Sequence, residues 1–110
     1  MTTIIIHKNS TGMYKGFTCF GHAEYAKKGR PDILCSAISS LVINTINCLE
    51  ELAKEQLQVA TNEETGFIKC DLESPLQDKS VFLLDSMVYG LQKLSEQYGE
   101  KYLLVKFEEV

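Results

Sequence analysis

Residues 21–39, GHAEYAKKGRPDILCSAIS, set a histidine and a cysteine on either side of a polar, basic segment and lead into the chain's longest apolar run, residues 33–46. An aspartate stands just ahead of that run. A carboxylate at the start of an apolar helix accepts hydrogen bonds from the first free backbone N–H groups, so Asp32 reads as an N-cap and Cys35 falls within the first turn. The unpaired N–H groups and the helix dipole favour an anion there, and the thiol is expected to ionise below its ordinary value of ~8.5. His22, if the fold brings it near, completes a nucleophile and base pair. The plain alternative is a small buried cysteine and a satisfied histidine. Between them, residues 23–31 carry Glu24, Tyr25, Lys27, Lys28, Gly29 and Arg30 and no apolar stripe. That composition suits either a mobile flap without apolar anchors, ordering over a bound peptide, or an ordinary solvated connection.

Working outward, the helix that begins at Asp32 is expected to run to about Gln56, with Leu34, Ile38, Leu41, Val42, Ile46, Leu49 and Leu52 at helical spacing. Its first half is apolar nearly all round, interrupted by Ser36, Ser39, Ser40 and Asn44, which predicts burial on several sides or an interface. Ser39 lies one turn beyond Cys35 on the same face, free to bond near the sulfur or back to a helix carbonyl. Cys48 belongs to the packing pattern. Upstream, β-branched residues 2–8 and residues 13–20 read as a hairpin around Ser10, Thr11 and Gly12, with Gly16 marking a bulge or a close backbone approach. His7 reads as structural or exposed.

Downstream, residues 57–60 and 67–72 form a second hairpin with Glu63 and Glu64 solvated at its tip. Ser74, Pro75 and Asp78 signal a connection and a helix to about Tyr98, whose stripe of Val81, Leu84, Met87, Val88, Leu91 and Leu94 is core. Gly99 ends that helix, and residues 102–107 make the last strand. The order is ββαββαβ, a single α+β domain over residues 1–110 with two helices on a largely antiparallel sheet.

At 110 residues, 45% hydrophobic and 24% charged, the composition is that of one soluble globular domain. A net charge of −4 argues against a general nucleic-acid binder. Lys27, Lys28 and Arg30 form a local basic site for an acidic segment, or are simply solvated. The N-terminus lacks a basic start and long apolar core, and no apolar run is expected to reach the ~20 residues of a bilayer span, so neither a signal peptide nor a membrane partner is expected and the location is expected to be cytoplasmic. Cys19, Cys35, Cys48 and Cys70 show no C-x-x-C spacing and are expected as free thiols. A zinc reading starts from Cys19, His22 and Cys35 with His7 or Cys70 as fourth ligand. Positions 19 and 22 on an extended strand face opposite ways, which disfavours it, and no metal or cofactor is expected.

The stretch resembles the signature of Prp, the bacterial ribosomal-processing cysteine protease family: a Gly-His-Ala motif, a glycine-containing loop, an aspartate three residues before a cysteine, and a serine four residues after it. Gly21, His22, Ala23, Gly29, Asp32, Cys35 and Ser39 stand at matching places, and length and element order match along essentially the whole chain. Glu24, where the family usually has a small residue, and Pro31, which lengthens the loop by one residue relative to some members, depart from it. The resemblance implies a cysteine endopeptidase with His22 and Cys35 as catalytic dyad, Asp32 and Ser39 in support, and Gly21, Ala23, Tyr25 and Gly29 in the substrate loop. It further implies a homodimer that removes the N-terminal extension of the precursor of large-subunit ribosomal protein L27. A noncatalytic ribosome-associated protein-binding module is the competing reading. A thiol oxidoreductase is a weaker one, since no resolving cysteine lies near Cys35 in sequence.

Overall fold

β1 (Thr2–Lys8) and β2 (Tyr14–Phe20) pair antiparallel across a turn in which the Asn9 side chain accepts from the backbone N–H groups of Thr11 and Met13, each at 3.0 Å. These coordinates are a computed structural model describing residues 1–27, 29–30, 32–73 and 75–110. The expectations placed on Lys28, Pro31 and Ser74 lie outside the described residues. The β1–β2 register steps from His7 opposite Gly16 to Lys8 opposite Tyr14, so Lys15 is the extra residue of a bulge. That step puts Tyr14 and Phe17, three positions apart, both in the core. Gly16 also meets the second expectation, because a methyl group there would collide with the Cys70 carbonyl oxygen on the neighbouring strand.

The second hairpin is β3 (Leu57–Asn62) and β4 (Phe67–Leu72), and the last strand is β5 (Leu103–Glu109). The five strands lie in the order β3-β4-β2-β1-β5, antiparallel except for the parallel β1–β5 pair at one edge. Two helices, α1 (Ile33–Asn47) and α2 (Asp78–Tyr98), pack together, with α2 also against β5. Gly90 lets them approach, since a Cβ there would come within 2.7 Å of Leu41 Cδ2. Ile4, Ile6 and Phe17 from the sheet, Leu34, Ile38 and Val42 from α1, and Leu84, Met87 and Leu91 from α2 form the core. The arrangement is the expected single α+β domain.

The first helix departs from expectation in two ways. It does not reach Gln56: after Asn47 it widens into one π-helical turn, Cys48–Leu52, closed by Ala53 N–H donating to Cys48 C=O at 2.9 Å. Lys54 then takes φ +59 and ends it. Leu34, Ile38, Val42 and Leu49 pack inward, while exposed Ile33, Ile43 and Leu52 leave apolar surface of the kind the interface alternative calls for. Finally, Ile33–Leu52 is 20 residues long and apolar enough, by length and composition, to cross a bilayer. The expected run, residues 33–46, fell short of this because it stopped before Asn47, beyond which Cys48, Leu49 and Leu52 keep the segment apolar. Here one side of that segment packs into the domain core.

Past Lys54, the Glu55 carboxylate caps α2 from outside, accepting from Gln77 N–H at 3.0 Å and from the Ser80 hydroxyl. Gln77 holds the N-cap position without a cap bond from its own side chain.

Candidate active site

β2 ends at Phe20, and Gly21 turns the chain with φ +85, at a place where a Cβ would collide with the Met1 carbonyl oxygen. Its peptide is held from two sides: Gly21 N–H donates to Thr65 C=O at 3.1 Å, and the Thr2 hydroxyl donates to Gly21 C=O at 3.4 Å. The turn therefore presents His22 against the tip of the β3–β4 hairpin. His22 Nε2 lies 3.0 Å from the Glu64 carbonyl oxygen. Glu64, expected to be merely solvated, is exposed as a side chain, yet its backbone fixes the imidazole.

Asp32 is the N-cap of α1, as expected, with Oδ1 accepting from Cys35 N–H at 3.0 Å. Its Oδ2 reaches back into the loop, accepting from Tyr25 N–H at 2.8 Å and Ala26 N–H at 3.2 Å. Partial burial pushes its pKa upward, but the N–H groups of Cys35, Ala26, Tyr25 and Leu34 outweigh this and hold it below the usual carboxylate value. One carboxylate thus ties the loop to the turn that carries Cys35.

The loop is better anchored than its composition suggests. Ala23 is buried, and the Tyr25 ring packs edge-on against Tyr98 at 4.9 Å and Tyr102 at 5.2 Å. The expectation of a flap without apolar anchors fails for residues 23–26, because the partner aromatics come from α2 and from just before β5, far away in sequence. Glu24 takes φ +56, a left-handed conformation that costs a non-glycine residue about 1 kcal/mol. Gly29 sits at φ +84 in a turn with open space around it.

His22, Cys35, Ser39 and Gly21 line one cleft of about 520 Å³, walled by α1 on one side and the β3–β4 hairpin on the other. Ile38, Val42, Ile43, Val59, Phe67 and Ile68 make much of it apolar. No hydrogen bond joins His22 to Cys35, and none engages the Ser39 hydroxyl, among the described residues. Cys19 lines the same cleft. The expectation that positions 19 and 22 face opposite ways fails, since the strand stops at Phe20 and Gly21 turns His22 back. Even so, no group of three or more His, Cys, Asp or Glu side chains is placed to hold a metal ion among the described residues.

Burial pushes the Cys19 thiol up to about 11, with the neighbouring Cys35 adding to the shift. Burial, then Asp71 and Glu50, push Cys70 to about 12. Both are therefore protonated at neutral pH, and Cys48 does not line the cleft. Cys35 is left as the half-buried thiol of the cleft, seated at a helix start.

The family model for cysteine protease Prp matches residues 1–103. The chain belongs to the Prp family of cysteine proteases. It is 25% identical over 100 residues to the ribosomal processing cysteine protease Prp of Staphylococcus aureus, an overlap covering 91% of this chain and 93% of that protein. A crystal structure of S. aureus Prp with a covalently linked product peptide superimposes with a TM-score of 0.89 at 22% identity, covering 98% of this chain and all of that one. The structure of SMU.848 from Streptococcus mutans gives a TM-score of 0.85 at 25% identity over all of this chain and 96% of that one. The Prp fold is thus shared over the whole chain.

Proposed function

We propose that this chain is the endopeptidase that removes the N-terminal extension of the ribosomal protein L27 precursor, with Cys35 as nucleophile and His22 as proton carrier. The observation that carries this is the pairing of a half-buried, first-turn cysteine with an anchored histidine in one peptide-sized apolar cleft. The relative in S. aureus is named a ribosomal processing protease, and its crystal structures hold a substrate peptide or a covalently linked product peptide. Cytoplasmic action and pairing of two copies belong to the same proposal; exposed Ile33 and Ile43 on α1 offer apolar surface for the second.

In the reaction the Cys35 thiol gives its proton to the His22 imidazole, and the sulfur attacks the scissile carbonyl carbon. The oxyanion that forms is stabilised by N–H groups at the start of α1, where one well-placed donor is typically worth ~3 kcal/mol. The imidazolium then protonates the departing amine nitrogen as the C–N bond breaks, leaving a thioester. Water, losing a proton to the imidazole, hydrolyses the thioester, and that proton returns to sulfur. The hydrogen bond between His22 and Cys35 that this step needs would form in the substrate complex, since catalytic contacts are commonly long in free enzymes.

The test is incubation of the precursor with the protein, read by intact mass. Two fragments from the native chain and none from Cys35→Ala are expected; equal cleavage by both would refute the assignment. For His22→Ala, turnover should drop by about 100-fold or more with KM little changed.

A further inference from the structure

The part of the site that sequence reasoning passed over is the β3–β4 tip, where two adjacent carbonyls face the Gly21–His22 turn. Thr65 C=O accepts from Gly21 N–H at 3.1 Å, and Glu64 C=O lies 3.0 Å from His22 Nε2. A carbonyl oxygen can only accept, so Nε2 must carry the proton in that bond. The neutral ring then has its lone pair on Nδ1 alone. Gly66 completes the fit. It sits at φ +65, and a Cβ there would strike the Gly21 carbonyl oxygen and come within 3.2 Å of His22 Cε1. Backbone therefore holds the ring at Nε2 and leaves no room for a side chain beside Cε1, with no side-chain carboxylate or amide bonded to the ring among the described residues.

We infer that the Glu64 backbone carbonyl is the third member of the catalytic arrangement, a positioning group that selects the Nε2–H tautomer and makes Nδ1 the nitrogen exchanging protons with Cys35. This rests on reading His22 as the proton carrier. It adds that the hairpin tip, and not an acidic residue, orients it. Nδ1 takes the thiol proton, and the resulting imidazolium keeps its Nε2–H bond to Glu64, whose carbonyl dipole steadies the positive charge. The main chain supplies the group, so changing the Glu64 side chain leaves it in place.

Long-range proton–nitrogen NMR of the chain with ¹⁵N-labelled histidine tests this directly, with His7→Gln separating the two rings. His22 in its neutral form should show the Nε2–H tautomer, and an Nδ1–H tautomer overturns the proposal whatever the activity. Retained turnover in His22→Ala would sink the underlying reading instead, so the two failures are distinguishable. Glu64→Ala should keep the tautomer, because it changes the side chain and leaves the carbonyl. Gly66→Ala should lower kcat by at least about tenfold at nearly constant KM, with loss of the single tautomer. Its control is Gly12→Ala, equally left-handed at φ +80 but facing open space. A folded Gly66→Ala protein matching Gly12→Ala in kcat and tautomer would also overturn the proposal. If Gly66→Ala does not fold, the native spectrum alone decides.

Discussion

Replacing Asp32 by alanine should uncouple the loop from the helix that carries Cys35, and the structure sets the size of the loss. The Oδ1 bond to Cys35 N–H is an N-cap interaction, whose removal costs about 1 kcal/mol. The Oδ2 bonds to Tyr25 and Ala26 N–H would each contribute about 0.5–1.5 kcal/mol net, and water recovers part of that at this half-buried position. A total near 2 kcal/mol lowers the melting temperature of a domain this size by on the order of 10 °C. The carboxyl pKa is depressed in the folded chain, so the contribution is present above the unfolded value of ~3.9 and is lost as pH falls through the lower folded value. Thermal melts of the native and Asp32→Ala chains between pH 3 and pH 7 provide the assay. The gap should be widest near neutrality and narrow steeply at the acid end. Melting temperatures within about 2 °C at pH 7, or a gap indifferent to pH, would refute the reasoning.

Tyr25→Ala should remove two edge-on ring contacts, each worth about 0.5–1.5 kcal/mol, and raise hydrogen exchange at residues 24–27, whereas unchanged exchange would show that the Asp32 bonds alone hold the loop. The Glu55 carboxyl lies below its ordinary pKa through the Ser80 hydroxyl and then Gln77, despite the opposing effect of burial. Its share of stability therefore exists above ~4.3 and fades as pH drops further, so Glu55→Gln should lower the neutral melting point and flatten its acid dependence. In the native chain at pH 8, iodoacetamide should label Cys35 well before Cys19 and Cys70, which remain protonated until about pH 11 and 12; rapid labelling of either would contradict their burial.

What could be read from the chain beforehand follows from the range of the forces involved. The Asp32 cap, the β-branched run of β1 and the stripe of α2 are local patterns, and α2 ends at Tyr98 as expected. The Gly-His-Ala and Asp-x-x-Cys spacings likewise pointed to the residues lining the cleft. Features depending on distant partners were not readable. Tyr25 looked unanchored because Tyr98 and Tyr102 lie more than 70 residues away, and the role of Glu64 was hidden because it belongs to a carbonyl that any residue type supplies. The π-helical turn replaced a longer α-helix at a place with neither glycine nor proline to announce it. Only the left-handed Gly21 showed where the strand periodicity ceases, and with it that Cys19 and His22 share a cleft.

The central claim is that Cys35 carries the acyl group of the cleaved peptide. The most direct measurement is acid quenching of the native chain during turnover of the precursor, followed by intact mass and fragment mapping. The account predicts a transient adduct of one N-terminal extension, linked as a hydroxylamine-labile thioester to Cys35 and missing from Cys35→Ala. Mapping of that adduct to another residue, or undiminished cleavage by Cys35→Ala, would contradict it.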